Sequence, residues 1–123
     1  MDEAVERVIA DVHRYTEAGE RLAARLHEHS RWNEADIERL RSGMTLTESC
    51  NHTASADRSR NLTRIMAEFE EARRAIRASS VLLLLDEGRT ISEIGTIFGV
   101  SRQLANRLVR DARLHYGETS APV

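Results

Sequence analysis

TISEIGTIFGVSRQLANRLVRDAR, residues 90–113, decides how this chain is read. It spells two short helices joined by a tight glycine turn. Ile94, Phe98, Val100, Ala105 and Leu108 are small or apolar at the spacing that lets two helices cross and bury a shared seam. Gly95 falls where the helices approach closely. Gly99 falls at the turn, where it reaches positive φ without the Cβ penalty of other residues. Thr90 and Glu93 have the form of a capping box, and Ser101 is an N-cap for the second helix. Steps of three and four then bring Arg102, Gln103, Asn106, Arg107 and Arg110 onto one polar face, with Leu104, Ala105, Leu108 and Ala112 on the buried one.

Two short helices need a third across their back to close a core, and Val81–Leu85 is the apolar run available for it. The spacing predicts a long helix over 57–87, closed by Gly88, with a seam of Leu62, Ile65, Phe69, Ala72, Ile76, Ser79 and Leu83. Upstream, residues 2–30 read as another long amphipathic helix whose heptad-like seam is Val5, Val8, Val12, Tyr15, Gly19, Leu22 and Leu26. Asn33 is expected to cap a separate short helix to about Arg41, with Trp32 as a hydrophobic anchor beside it. Ser42-Gly43 ends that helix. Thr45 to Glu48 has the T-x-x-E pattern for one more turn of helix through Cys50, followed by a loop over 51–56. Two long helices linked by about thirty residues can fold back as an antiparallel pair. Apolar positions off the seams, such as Ile9 and Met66, favour further association.

The fold expected is therefore all-α: a long helical hairpin arm continuous with a trihelical unit. Residues 1–56 form the N-terminal arm and connector, residues 57–115 the long helix and the two short helices, and residues 116–123 a flexible tail.

Charge sharpens this division. The 123 residues carry a net charge of −2, and all 18 basic residues are arginine. Residues 1–56 hold seven arginines against eleven acids, a balance of −4. Residues 88–113 hold five arginines against Glu93 and Asp111, a balance of +3. Positive potential is thus concentrated on the two short helices, as a module that approaches polyanions requires. One cysteine excludes an intramolecular disulfide framework, and the acidic, amphipathic N-terminus does not read as a signal peptide. A cytoplasmic protein is expected.

In its small Gly95 four places before the turn Gly99, its apolar Val100, its capping Ser101 and the Arg-Gln that follows, the segment resembles the helix-turn-helix of bacterial transcription regulators. The resemblance covers about a fifth of the chain. Ala105 departs from it, because a larger branched residue is usual there. It implies binding to double-stranded DNA through the major groove. Arg107 is then expected to pair with guanine, and Gln103 or Asn106 with adenine. Arg89, Thr96, Ser101 and Arg102 are expected to meet phosphates, and Arg110 shares the reading face. Regulators of this kind bind two half-sites as dimers, so a homodimer is expected.

Other chemistries find little support. His27-x-His29 and Cys50-x-His52 contain ligand types, but residues two apart on a helix do not face the same way, so no metal or other cofactor is expected. The chain has no glycine-rich phosphate loop and no nucleophile motif, and its carboxylates are spread along amphipathic faces; no enzyme is expected. The rival reading is a protein-interaction adaptor, such as an anti-sigma-type regulator, that uses the same fold to bind a protein.

Overall fold

The computed structural model describes residues 2–117, and among them every regular element is helical. In chain order these are α1 (Glu3–Arg41), α2 (Leu46–His52), α3 (Ser55–Asp86), α4 (Ile91–Phe98) and α5 (Arg102–His115). The all-α expectation holds, with two long helices followed by two short ones. The expected break at Asn33 does not occur. No glycine or proline interrupts 30–33, so the helical ladder continues at a propensity cost well under ~1 kcal/mol per residue. Trp32 also anchors this stretch: the Arg58 guanidinium lies 4.9 Å from its ring centroid, and His29 meets it edge-on at 5.0 Å. Asn33 is an exposed residue within α1, not a cap.

The chain groups into two compact units, residues 2–15 with 71–117, and Thr16–Glu70. This grouping cuts across the expected division after residue 56, because each unit takes a piece of α1 and a piece of α3.

In the unit of Thr16–Glu70, α1 and α3 run antiparallel. Arg21 pairs with Glu68 at 3.9 Å, while Trp32, further along α1, meets Arg58, earlier on α3. Ala18 and Ile65 are buried, and a Cβ on Gly19 would lie in ordinary contact with Phe69. Thr45 Oγ1 accepts from the Glu48 N–H at 3.1 Å and starts α2. That helix is held by a polar clasp. The fully buried Ser49 donates to Asp36 at 2.9 Å, and Arg39 donates to both Asp36 and Ser49. Arg58 donates to Thr53 at 2.6 Å and to Ser55 at 3.2 Å. Arg58 also donates to Asp36 at 3.5 Å, and the bonds on Asp36 hold its carboxyl below its usual range, the hydrogen bond from Arg39 contributing most and that from Ser49 next.

In the other unit, α3, α4 and α5 close a core of Ala78, Val81, Leu82, Ile94, Ala105, Val109 and Ala112, with Leu85, Phe98 and Val100 packed against it. The trihelical expectation holds. Val109 joins the buried face beside Ala105 and Ala112, while Leu104 and Leu108 are only half-buried at its edge. The N-terminal piece of α1 joins through Asp11, which is buried and accepts a hydrogen bond from the Tyr116 hydroxyl. Arg7 lies over the Tyr116 ring, 4.5 Å from its centroid. Tyr116 is thus a packed residue and not the start of a loose tail. Residues 118–123 of the expected tail lie outside the described residues.

The single seam expected on α1 resolves into two. Val8, Tyr15 and Leu22 are half-buried on the line that carries the buried Asp11 and Ala18, whereas Val12 and Leu26 are exposed. The inner line is one residue, or about 100° of helix, away from the outer one.

Candidate nucleic-acid interface

The two short helices are set by their ends. Thr90 Oγ1 accepts from the Glu93 N–H and the Glu93 carboxylate accepts from the Thr90 N–H, both at 3.1 Å, so the capping box is complete. These bonds, led by the one from the Thr90 backbone, hold the Glu93 carboxyl below its usual range, with Arg89 at 3.3 Å assisting. Gly99 ends α4 with φ +69°, and its N–H and that of Val100 are donated back to carbonyls of the last turn. Ser101 Oγ then accepts from the Leu104 N–H at 3.1 Å and starts α5.

Close approach fixes the crossing. A Cβ on Gly95 would lie 3.0 Å from the Val100 carbonyl oxygen and 3.5 Å from the Ala105 Cβ. Ala105 is fully buried. Its small side chain, which departs from the helix-turn-helix pattern, belongs to this tight contact with α4, and a larger residue would have to push the helices apart.

All eight residues expected to meet DNA are exposed. Arg102, Gln103, Asn106, Arg107 and Arg110 lie on the solvent face of α5, opposite Ala105, Val109 and Ala112. Among the described residues, none of these five side chains is held by a hydrogen bond or an ion pair, so their donors face solvent. The other three are engaged locally. Arg89 pairs with Glu93, Thr96 donates to the Ser92 carbonyl, and Ser101 serves as the cap. Arg89 and Glu93 are both about half exposed, so this pair is weak and the guanidinium can exchange partners.

One exposed residue escaped the sequence reading. Ile97 on α4 is 56% exposed, beside Thr96. The seam of Ile94 and Phe98 gives it no assigned face, and the crossing of α4 and α5 leaves it outward. The same unit contains an open pocket of about 390 Å³ between α3 and α5, with Arg74, Arg77, Asp111 and His115 in its lining. None of the eight expected DNA contacts lines it.

Among the described residues, no three of His, Cys, Asp and Glu converge on a point that could hold a metal ion. No helix among them is long and apolar enough to cross a membrane. Comparison with protein-family models, with curated proteins and with solved structures finds no match to this chain.

Proposed function

We propose that this chain is a sequence-specific regulator of transcription that binds double-stranded DNA as a homodimer, with α5 as its reading helix. The observation that carries the proposal is the solvent face of α5. Three arginines and two carboxamides stand there without partners among the described residues, on a helix whose start, crossing and buried side are each fixed. A side chain already pointed at solvent and free of partners loses little on engaging a base edge, and a fixed helix costs little to order.

Arg107 and Arg110 have the fork that matches guanine O6 and N7, and Gln103 and Asn106 the donor–acceptor pair that matches adenine. Arg102 at the start of α5, with Ser101, Thr96 and Arg89, supplies phosphate contacts that set the register. The concentration of positive charge on residues 88–113 supports the approach to DNA, and the acidic remainder disfavours non-specific adhesion.

Ile97 favours the rival reading, an adaptor that binds a protein through the same unit, because an exposed isoleucine suits a protein interface. It equally suits contact with a thymine methyl. Selection of bound sites from a randomised DNA pool separates the two. The DNA reading expects one enriched site, and expects Arg107→Ala or Gln103→Ala to lose the preference at one position each. Recovery of no enriched site supports the adaptor.

A further inference from the structure

α1 carries 16 charged residues among its 39, yet one line along it carries none. The line steps four and three residues at a time through Val5, Ile9, Val12, Thr16, Gly19, Ala23, Leu26, Ser30, Asn33, Ile37 and Leu40. It lies one residue round from the inner line that packs against α3. Of the large apolar side chains on it, Val5 is half-buried, and Ile9, Val12, Leu26, Ile37 and Leu40 are 39% to 47% exposed. A strict heptad of uncharged residues, beside an inner line that already packs against α3, is a seam made for another helix.

We propose that this outer line is the homodimer interface, and that the two copies of α1 pair antiparallel about a two-fold axis between Ala24 and Arg25. The sequence of the line is chemically palindromic about that point. Antiparallel pairing sets Ile9 against the partner's Leu40, Val12 against the partner's Ile37 and Thr16 against the partner's Asn33. Gly19 then meets the partner's Ser30, and Ala23 the partner's Leu26. Apolar meets apolar, polar meets polar and small meets small, and the two-fold repeats each layer.

The border of the line agrees. Glu6, His13, Glu20, His27, Glu34 and Arg41 flank it on the side away from α3, and all are exposed. In the same register Glu6 faces the partner's Arg41, Glu20 the partner's His27, and His13 the partner's Glu34. Every carboxylate therefore meets a side chain that can donate to it.

A slip of one heptad destroys both patterns. In one direction Ile9 meets the partner's Asn33, Val12 the partner's Ser30, and Glu20 its own counterpart. In the other, Gly19 meets the partner's Ile37, Ala23 the partner's Asn33, and Glu20 the partner's Glu34. Parallel pairing instead turns the charged border toward the apolar Val8, Tyr15 and Leu22. Register and polarity are thus specified together.

The inference rests on the dimeric half of the proposed function, and its test uses no DNA. The full chain with Cys50→Ser is given Thr16→Cys and Asn33→Cys together, and each alone. Light scattering should report twice the 13.9 kDa chain mass. Under oxidation the double variant should form a disulfide-linked dimer and neither single variant should, since each cysteine lies ~25 Å along the helix from its own counterpart. Glu20→Arg should weaken the dimer about 5–10-fold, and adding His27→Glu should restore it. Ile37→Asp, at a site exposed in the single chain, should give a monomer with an unchanged helical circular dichroism signal.

Cross-linking by a single variant, or a dimer whose double variant fails to cross-link, overturns the interface while leaving a dimeric DNA binder intact. A monomer at all concentrations overturns both the interface and the dimer, and leaves the DNA affinity of α5 to be judged on its own.

Discussion

The Tyr116 hydroxyl, one residue past the end of α5, donates a hydrogen bond to the buried carboxylate of Asp11, about two turns into α1. Residues more than a hundred positions apart are joined, and the junction ties the end of α5 to α1. Removing the donor leaves a buried carboxylate short of a partner. Tyr116→Phe is therefore expected to cost about 1.5–3 kcal/mol in chemical denaturation. Asp11→Asn, which keeps an acceptor at that position, should cost less.

Burial, with the Asp11 carboxylate beside it, pushes the Tyr116 phenol up from 10.0 to about 12. The folded state thus holds a proton that the unfolded chain releases between those values. The corresponding stability is present below pH 10 and is lost as pH rises toward 12. Thermal melts of the wild type from pH 9 to 12 should fall more steeply than those of Tyr116→Phe. Parallel curves would remove Tyr116 from the alkaline transition.

Asp36 gives the opposite sign. Arg39, Ser49 and Arg58 hold its carboxyl below 3.8, so its contribution is present above that pH and is lost as pH falls through the lower folded value. Asp36→Asn should lower the melting temperature at pH 6. It should also flatten the acid limb of the profile below pH 4, measured by circular dichroism.

The crossing of α4 and α5 tolerates no bulk. Gly95→Val would drive a branched side chain into the Val100 carbonyl and Ala105, and should cost about 1–3 kcal/mol of overpacking. Gly99→Ala has open space around it but must hold φ +69°, so about 1–2 kcal/mol of backbone strain is expected instead. Only Gly95→Val should alter the protection of the buried core amides in hydrogen exchange at matched global stability.

The features legible in the sequence were those written in local chemistry. Thr90, Glu93, Gly99 and Ser101 name the ends of α4 and α5 because caps and positive φ depend on nearest neighbours. The exposed face of α5 follows from the same helix period. What was not legible depends on distant partners. Asn33 is a good cap in isolation, and Arg58 packed on Trp32 is what helps carry the helix past it. Asp11 reads as a surface acid until Tyr116 reaches it. The α1 seam looked single because Val8 and Val12 are both apolar at helical spacing, and only the position of α3 decides which one is covered.

For the proposed base contacts, Arg107→Ala and Gln103→Ala should each cost about 1–3 kcal/mol at the selected site and little on unrelated DNA. Arg102→Ala should weaken both alike and reduce the salt dependence. These substitutions fall on exposed side chains, so melting temperatures should stay unchanged.

The most direct test is the affinity of the wild-type protein for double-stranded DNA across a salt series, by fluorescence anisotropy on the selected site and on a scrambled duplex. Affinity should fall linearly with the logarithm of salt on both duplexes, with the selected site bound more tightly throughout and Arg107→Ala erasing most of that difference. Absence of salt-dependent binding to either duplex would contradict the DNA-binding reading and leave α5 as a protein-binding surface.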